Sequence, residues 1–599
     1  MRSPCSMHLC RILLAILAST MGVACGPGEE LPLPAEELAS LLGPSRPLRI
    51  KLSQSEIRLD IHPLEGILTA RSPLLIGKRQ VLEFIPLLHN APRPGCTVTL
   101  EAESDGGTRT LWNGEPGVMS VRSSGFALHG DFPRPQRIDL ADLAGEVLRL
   151  SWKSSEGCKG RQISLSRVRI VPVAERVAPP ILLICSDQHR YDYALGAQGR
   201  EHMPEFQQFA AQSVVYPRAY SNASWTLPSI VSTLTGIHPR FHRTGVRVEE
   251  GTDWDSRRKL PPGQFRIQWG DTYYVFSAYA HDLETLGERL QRRGYATEAV
   301  VSNTFYSASG LLKDGFDLAI DSRAVEGSVI NQLAGWLLRR RDPDVPFFLL
   351  VHYMDVHEYL NWAPGGNAIH DLDPDERAKQ YAFRVRETDR HLSHLLKLWD
   401  RTVGLKDSLV IFFSDHGEHL SEPGRLGERH GGSMDDVLLR VPLVVHYPES
   451  LGVEPGTDDR EAALVDLVPT VLAVVGAEDE EGMLHGSSLL GAPASSAARP
   501  IFADFQLKGD DLSALRVGPD KLLVNWRDGA RTLLRPGPYP ATVPEDQWRV
   551  EEPARQAALE ELFDAYLAEA ESFSAGIQSD VVIDQDDLTE RLKAIGYVQ

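Results

Sequence analysis

Positively charged residues are in the minority in this chain of 599 residues. There are 62 lysines and arginines against 82 aspartates and glutamates, which gives a formal net charge of −20 with the histidines neutral. Broad nucleic-acid binding needs a basic face, and this balance argues against it. An acidic protein can still bind an anion through local cations, a helix terminus or a metal ion. Nucleic acid is therefore excluded as a partner, whereas an anionic small molecule is not.

A hydrophobic run long enough to cross a membrane is missing from the start of the chain. The apolar stretch ILLAILASTMGVA follows Arg2 and Arg11 and has only 13 residues, which is too short for a bilayer and typical of a secretory signal. The small residues before Cys25 are similar to a lipoprotein cleavage site, although Gly22 stands where a branched aliphatic residue is usual. We predict that residues 1–25 are a signal peptide and that the protein is exported to the cell envelope, where a lipid on Cys25 anchors it to a membrane. A periplasmic or secreted protein without a lipid is the alternative.

Cysteine is scarce, with six residues at positions 5, 10, 25, 96, 158 and 185. The first two leave with the predicted signal peptide. Cys96 and Cys158 fall in one predicted domain, and export favours a disulfide between them, with two free thiols as the alternative. Cys185 lies inside the apolar run ILLIC and is interpreted as a small buried hydrophobic residue.

The composition, with 42% hydrophobic and 24% charged residues, is that of an ordinary globular protein, and the chain is too long for a single core. After a predicted linker over residues 26–45, residues 46–175 contain short segments of alternating polarity, such as TVTLEAE and EVLRLSWK. Glycine, proline, aspartate and serine clusters separate these segments, which predicts an all-β sandwich domain. Such a domain serves either as a module that binds a glycan or a partner, or as a structural spacer.

Between residues 178 and 490 short apolar runs alternate with longer helical patterns. The runs are ILLIC (181–185), EAVVS (298–302), FFLLV (347–351), LVIFF (409–413) and PLVVH (442–446). Apolar strands that alternate with helices predict an α/β domain of three layers, in which helices cover both faces of a mostly parallel sheet. Residues 491–599 combine a short strand pattern, DKLLVNW, with a helical one, and are predicted to form a small α+β C-terminal subdomain.

Acidic residues follow two of the predicted strands directly. ILLIC is followed by Ser-Asp187-Gln-His, and LVIFF by Ser-Asp415-His416-Gly-Glu. Ligands of open parallel sheets bind beyond the carboxyl ends of the strands, so these side chains can converge. Two carboxylates with one imidazole suit Ca²⁺, Mg²⁺, Mn²⁺ or Zn²⁺. The alternative is that each aspartate caps the helix or turn that follows it.

A threonine opens an apolar helical pattern in the stretch SNASWTLPSIVSTLTG, which ends at Gly236. Thr226 can be the N-cap of that helix, with Pro228 in the first turn. It can also be a nucleophile, because the positive end of a helix stabilises a bound phosphate or sulfate, and a metal ion can activate the hydroxyl. The two roles are compatible.

Histidines occur at three places that bear on a site of this kind. His357 follows the FFLLV strand in HYMDVHEY, and His430 lies 14 residues after His416. Their placement after predicted sheet strands makes both candidate site residues. His238 and His242 occur in GIHPRFHRTGV, just after the Thr226 helix.

The order of these motifs resembles the sulfatase branch of the alkaline phosphatase superfamily. The matching segments are SDQHRYDYALGA, SWTLPSIVSTLTGIHPRFH, FFLLVHYMDVHEY and the stretch from LVIFFSDHGEHL to LRVPLVVHYP. The resemblance covers 179–490 strongly and implies an alkaline-phosphatase-like fold with one divalent metal held by Asp187, Asp415 and His416. Gln188 falls where many relatives have a second metal-binding aspartate.

The resemblance also assigns catalytic positions. Thr226 falls at the position of the nucleophile, where it would also bind the metal. His357 and His430 fall where members of the family contact the transferred anion or protonate the leaving group.

Two departures from the family pattern concern the reaction. Catalytic sulfatases of this branch carry a cysteine or serine in a Cys/Ser-x-Pro-Ser-Arg motif that is oxidised to formylglycine, whereas this chain has Thr226-Leu-Pro-Ser-Ile230. The Lys-x-His pair that often follows the middle strand is replaced by VVSNTFYS. Threonine is the nucleophile in relatives that transfer phospho groups, such as lipoteichoic acid synthase.

We therefore predict a metal-dependent hydrolase of the sulfatase family that acts on an anionic sulfate or phosphate ester. The first alternative is an envelope transferase of phosphoethanolamine-like or phosphoglycerol-like groups. The second, of another class, is a non-catalytic envelope protein that binds a glycan or a partner.

Overall fold

The computed structural model of the protein describes residues 33–34, 42, 45–51 and most of 55–594. The longest gaps within that last range are 360–373 and 423–429. The predicted signal peptide, Cys25 and most of the predicted linker lie outside the described residues. Within the described part of the chain, none of the helices is both long and apolar enough to cross a membrane.

The N-terminal region is built from short strands. They are β1 (Leu33–Pro34), β2 (Arg46–Lys51), β3 (Ser55–Pro63), β4 (Ile67–Thr69), β5 (Leu74–Leu75), β6 (Gln80–Leu88), β7 (Val98–Ser104), β8 (Gly107–Gly114), β9 (Gly117–Val118), β10 (Arg122–Ser124), β11 (Ala127–His129), β12 (Gln136–Asp139), β13 (Val147–Ser154) and β14 (Ile163–Pro172). One sheet has the order β1-β5-β13-β7-β8, with β4 also on β13, and a second runs β12-β6-β14-β3.

The two sheets share one apolar core. Alternate residues of β7 and β13 are buried, which is the period of two expected of a sheet with one covered face. From the second sheet, Phe84 meets Trp152 of the first edge to face, with ring centroids 5.8 Å apart. Cys96 and Cys158 form a disulfide beside this core, as the sequence favoured.

The second sheet of this region does not end at the predicted domain boundary. On one edge of β3, Ser55–Arg58 pairs antiparallel with a strand of the α/β region, while residues 61–63 pair with β14. The other edge of β3 pairs with β2. A single sheet of 14 strands therefore runs through both regions. Alternating polarity predicts which residues form a strand but not which neighbour the strand pairs with, so the sequence pattern missed this continuity.

The α/β region begins at Ile181. Its strands are β15 (Ile181–Ser186), β16 (Val214–Val215), β17 (Ala219–Tyr220), β18 (Arg247–Gly251), β19 (Gln264–Trp269), β20 (Thr272–Ser277), β21 (Ala296–Val301), β22 (Leu318–Ser322), β23 (Phe347–Tyr353), β24 (Leu409–Phe413), β25 (Leu443–His446), β26 (Gly456–Thr457) and β27 (Ala462–Ala463). Its helices are α1 (Tyr191–Ala194), α2 (Ala197–His202), α3 (Pro204–Ala210), α4 (Thr226–Thr235), α5 (Pro239–His242), α6 (Leu286–Gln291), α7 (Thr304–Ala308), α8 (Gly327–Arg340), α9 (Pro374–Thr402), α10 (Asp436–Leu439) and α11 (Leu467–Val474).

The centre of the sheet is parallel. Strands β22, β21, β23, β15 and β24 lie side by side in that order and all run in the same direction. Along β15, Ile181 and Leu183 belong to the core on one face, whereas Leu182 and Ile184 belong to the core on the other. Helices α4, α6 and α11 cover the first face, and α8 and α9 cover the second. The prediction of an α/β fold is confirmed, and the parallel, doubly covered part of the sheet is its centre, whereas the sheet as a whole is mixed.

The last predicted strand of the sheet departs from this pattern. β25 pairs antiparallel with β24, whereas the sequence pattern predicted another parallel strand. The described part of the connection between them contains only the four-residue helix α10. β25 therefore begins near the carboxyl end of β24 and runs back beside it, because no crossover returns the chain to the other end of the strands.

The C-terminal section is a four-stranded antiparallel sheet with two helices, in agreement with the predicted α+β composition. Its elements are β28 (Pro500–Ala503), β29 (Leu512–Val517), β30 (Asp520–Asn525), β31 (Arg531–Leu534), α12 (Pro553–Ser574) and α13 (Gln585–Ala594). Tyr566 of α12 stacks on Phe502 at 3.8 Å between ring centroids, and it also contacts Phe241 of α5. The contact with Phe241 attaches the subdomain to the α/β region.

Candidate active site

Four neighbouring parallel strands deliver polar side chains to one edge of the sheet. The strands lie in the order β21, β23, β15 and β24, and each has its carboxyl end at this edge. Asn303 follows β21, His352 lies near the end of β23, Asp187 follows β15, and Asp415 with His416 follows β24. The convergence predicted for the two aspartates is therefore a direct consequence of the strand order.

Asp187, Asp415 and His416 form a tight group in which each residue offers a ligand atom within 4.8 Å of the others. His416 Nε2 lies 3.7 Å from Asp187 Oδ1 and 3.5 Å from Asp415 Oδ2. All three residues are fully buried. His416 Nδ1 lies 2.8 Å from the carbonyl oxygen of Gly417, which can only accept a hydrogen bond. Nδ1 therefore carries the hydrogen, and Nε2 directs its lone pair at the two carboxylates.

One oxygen of each carboxylate in this group lacks a donor among the described residues. Asp187 Oδ1 and Asp415 Oδ2 are buried and have no hydrogen-bond partner among the described residues. Buried carboxylate oxygens without partners are costly, and a cation between them removes that cost. Two such oxygens beside an imidazole lone pair fit a divalent cation, so this structure supports the predicted metal ligands on its own geometry.

The two carboxylates respond differently to their surroundings. Burial, together with the charge of Asp187, raises the pKa of Asp415. Burial also acts to raise the pKa of Asp187, but the hydrogen bond from His352 and the nearby imidazoles outweigh it and hold that pKa well below its usual range. One carboxylate is stabilised as an anion at the expense of the other, which is the situation that a bound cation relieves.

Asp415 also performs the alternative role considered for it. Its Oδ1 accepts hydrogen bonds from the backbone amides of Gln188 and His416, both at 3.0 Å. One oxygen thus orders the loop while the other faces Asp187 and His416.

Gln188 adopts a positive φ of 61°. Its side-chain amide donates to Glu418, and Oε1 has no donor among the described residues. A metal-binding role for Gln188 stays a prediction.

Thr226 lies at the first residue of α4, and the N-cap is Trp225. The interpretation of Thr226 as the N-cap was wrong, because the chain is already helical at this residue. Its Oγ1 lies 3.2 Å from His416 Nε2, and the residue is fully buried. The hydroxyl therefore adjoins the carboxylate–imidazole group at the positive end of a helix. The helix ends where predicted, with Gly236 in the left-handed conformation at φ 73°.

His357 and His430 reach the same place. The His430 ring lies 4.8 Å from the ring of His416 and 5.3 Å from that of His357, measured between centroids. His357 Nδ1 lies 3.1 Å from Glu358 Oε1, and His430 Nδ1 lies 3.6 Å from Glu418 Oε2. The hydrogen-bonding distance to Glu358 fixes the orientation of the His357 ring, whereas Glu418 approaches His430 only as a nearby negative charge.

The histidines of the GIHPRFHR segment lie elsewhere. His238 stacks on His485 at 5.2 Å between centroids, and His242 Nε2 contacts Ser232 Oγ at 3.0 Å. Burial lowers the pKa of both rings, His242 to about 3. They are neutral packing residues of the interior, which is the ordinary role of a buried histidine.

Two residues that contact Asp187 were not among the site residues predicted from the sequence. Asn303 Nδ2 donates to Asp187 Oδ2 at 2.7 Å, and His352 Nε2 lies 3.3 Å from the same oxygen. Together they hold Oδ2, so that Oδ1 faces Asp415 and His416. The rule that located Asp187 applies to them also, since Asn303 follows β21 and His352 lies near the end of β23.

Comparison with known proteins identifies the family of the α/β domain. Residues 179–477 match the family model described as Sulfatase. The α/β domain belongs to the sulfatase family. Members of this family usually bind a divalent metal. The chain is 33% identical to mouse steryl-sulfatase over 190 residues, which covers 29% of this chain and 28% of that protein. It is 23% identical over 376 residues to an ulvan-active sulfatase of Formosa agariphila, which covers 54% of this chain and 57% of the relative.

A solved structure of a 2-O GAG sulfatase has a TM-score of 0.51 with this chain at 14% identity, and the match covers 68% of this chain and 95% of the other. This likeness shows a shared fold. The chain spans less than a third of the length of the mouse relative and little more than half that of the Formosa relative.

Replacement of Asp415 by asparagine tests the metal ligands. We expect the wild-type sulfatase-family protein to retain a divalent cation through dialysis and Asp415→Asn to lose it, because the substitution removes a charged ligand and keeps the size of the side chain. Elemental analysis measures the metal. Asp389→Asn is the matched control, since Asp389 is also buried but accepts only from the backbone amides of Glu205 and Phe206 in the described structure. Equal metal content in Asp415→Asn and the control would contradict the assignment.

Replacement of Asn303 by alanine tests the support of Asp187. Loss of the hydrogen bond to Oδ2 frees the carboxylate to rotate, and we expect metal affinity to fall about tenfold. Titration of the metal-stripped protein with the cation measures the affinity. Asn331→Ala is the control, because Asn331 is a buried amide that bonds to Tyr353 and to the carbonyl of His391. Unchanged affinity in Asn303→Ala would show that Asp187 is oriented by other contacts.

Proposed function

We propose that the protein is a metal-dependent hydrolase of sulfuric or phosphoric esters and that Thr226 is its nucleophile. One observation carries this proposal: Thr226 Oγ1 lies 3.2 Å from His416 Nε2, at the N-terminus of α4 and beside the two unpartnered carboxylate oxygens of Asp187 and Asp415. Positive helix-end charge, an imidazole and metal-binding carboxylates are the neighbours that a nucleophile attacking an anionic ester requires.

The cation, when bound by Asp187, Asp415 and His416, would supply Lewis-acid stabilisation of negative charge and favour the deprotonated form of a nearby hydroxyl. Thr226 Oγ1 then forms a bond to the sulfur or phosphorus of the ester. The amide groups at the start of α4 stabilise the non-bridging oxygens of the transferred group. Because Thr226 is fully buried, water is excluded from this first step.

The bond from sulfur or phosphorus to the leaving oxygen breaks as the bond to Thr226 forms. His430 or His357 gives the leaving oxygen a proton, which balances the proton lost from the threonine hydroxyl. Glu358 lies at hydrogen-bonding distance from Nδ1 of His357, so Nε2 is the atom of that ring available for this transfer. An acceptor then cleaves the ester on Thr226, and water as the acceptor completes a hydrolysis.

The threonine restricts the chemistry of the second half-reaction. A formylglycine hydrate can expel its sulfate through its second hydroxyl, whereas a threonine ester has no such group and depends on attack by an acceptor. This favours phosphate esters, and an alcohol acceptor would make the enzyme a transferase. The names of the relatives, a steryl-sulfatase, an ulvan-active sulfatase and a 2-O GAG sulfatase, favour a sulfate ester instead. Both ester classes therefore belong in the assay.

The proposed location follows from the sequence of the first 25 residues. We propose that the enzyme is exported and held in the cell envelope by a lipid on Cys25. The β-sandwich would then lie between the anchor and the α/β domain, as a spacer or as a module that binds the glycan part of a substrate.

Replacement of Thr226 by alanine tests the nucleophile. The purified protein is assayed against an aryl sulfate, an aryl phosphate, an aryl phosphodiester and a phosphonate monoester. We expect Thr226→Ala to lose at least about 1,000-fold in kcat on whichever ester the wild type hydrolyses, because the covalent step is removed. Thr226→Ser should retain part of the activity.

Thr233→Ala is the matched control for this experiment. Thr233 lies on the same helix, is equally buried, and donates only to the carbonyl of Ser229 in the described structure. We expect it to keep wild-type kcat. Full activity in Thr226→Ala would refute the nucleophile. Absence of hydrolysis in the wild type, with transfer to an added alcohol, would assign the transferase reaction instead.

A further inference from the structure

His430 reaches the site on a short segment that the C-terminal subdomain holds in place. Gly431 adopts a left-handed φ of 71°, and a Cβ there would lie 2.7 Å from Leu507 Cβ. The Gly431 carbonyl accepts from the amide of Lys508 at 3.0 Å, and its amide donates to the carbonyl of Ser224 at 2.9 Å. The residue beside His430 is thus clamped between the loop that precedes α4 and the loop that follows β28.

A buried lysine ties the other end of this segment. Lys521 lies on β30 and is 1% exposed. Its Nζ donates to the carbonyl of Met434 at 2.5 Å, to Asp436 Oδ1 at 3.0 Å and to Glu545 Oε2 at 2.7 Å. An ammonium group has three N–H donors, so every one of them is used.

Two further residues of the subdomain complete the arrangement around Asp436. Arg516 Nη2 donates to the Asp436 carboxylate, at 2.5 Å from Oδ1. Glu545 Oε1 accepts from the backbone amide of Asp436 at 2.5 Å. Lys521 and Arg516 thus place two positive charges against the carboxyl group of Asp436, and Lys521 also contacts that of Glu545. The backbone of the segment is thereby held at both residue 434 and residue 436.

Stability does not account for a buried charge group of this kind. Apolar side chains of similar volume often stabilise a fold as well as a buried ion network does, because desolvation of the charges costs several kcal/mol. The surroundings here are apolar already, since Met434 packs with Leu439, Ala503 and Ala514. The charged group instead fixes the backbone of the 430–436 segment relative to β30.

We propose that Lys521 is a positioning residue for the reaction, which acts through the 430–436 segment to hold His430 against His416 and His357. The subdomain is in this respect part of the active site, although Lys521 touches none of the reacting groups. This inference rests on the proposed function, in which His430 or His357 protonates the leaving oxygen. A displacement of the segment should therefore slow the chemical step more than it weakens substrate binding.

Lys521→Met is the test variant. We expect kcat to fall about 10- to 100-fold, because small displacements of a catalytic group have effects of this size, while KM changes by less than about threefold. Hydrogen exchange measured by mass spectrometry should rise in peptides that cover 430–440 and stay unchanged in those that cover 181–190. This second readout does not depend on activity.

Arg535→Met is the matched control. Arg535 lies in the same subdomain and pairs with Asp520 and Glu552, and among the described residues it makes no hydrogen bond or ion pair with the 430–436 segment. We expect wild-type kcat and wild-type exchange in this variant. The double variant Lys521→Met with Glu545→Gln removes one charge of each sign and keeps an amide oxygen for the Asp436 N–H. If Lys521→Met does not fold, the double variant is used in its place. The same fall in kcat and the same rise in hydrogen exchange are expected.

Unchanged exchange at 430–440, or equal effects of Lys521→Met and Arg535→Met on kcat, would overturn the positioning role. An equal loss in kcat and substrate affinity would also overturn it, since that result indicates general damage to the site. If the wild type hydrolyses none of the esters while exchange still rises at 430–440 in Lys521→Met, the proposed function is contradicted. The inference that Lys521 holds the 430–436 segment in place is then still supported.

Discussion

Two carboxylates lie side by side in the interior of this protein, and the architecture of the site follows from the need to stabilise them. Asp187 and Asp415 leave adjacent parallel strands at the same edge of the sheet, and each directs an oxygen without a protein donor towards His416. Like charges in a buried site require a compensating positive charge. The surrounding groups supply part of it: His352 and Asn303 hold one carboxylate, and backbone amides hold the other. A divalent cation would supply the rest.

The candidate nucleophile and the two candidate proton donors reach this group from three other parts of the chain. Thr226 arrives on a helix that packs on one face of the sheet, His357 follows the strand next to β15, and His430 arrives on the connection between β24 and β25. That connection stays at the carboxyl edge because β25 is antiparallel to β24. The C-terminal subdomain fixes the connection through Lys521. Residues separated by hundreds of positions thus depend on one another for the geometry of one reaction.

The sequence predicted the features that rest on local pattern. Apolar runs located β15, β21, β23 and β24 with boundaries within two residues of those observed, but they did not locate β22. The strand-end rule located Asp187, Asp415 and His416. It did not predict the pairing of β3 with β22, because that pairing is decided by tertiary contacts. The burial of Lys521 was not predicted for the same reason, because a lysine in the strand pattern DKLLVNW is typical of an exposed position. Its burial depends on Met434, Asp436 and Glu545, which lie far away in the chain.

The central claim is that the two carboxylates, His416 and Thr226 form one metal centre. Anomalous diffraction from crystals loaded with Mn²⁺, recorded above and below the manganese absorption edge, tests it most directly. We expect one anomalous peak about 2.0–2.6 Å from Asp187 Oδ1, Asp415 Oδ2, His416 Nε2 and Thr226 Oγ1. A peak coordinated by other residues, or no peak between these atoms in catalytically active crystals, would contradict it.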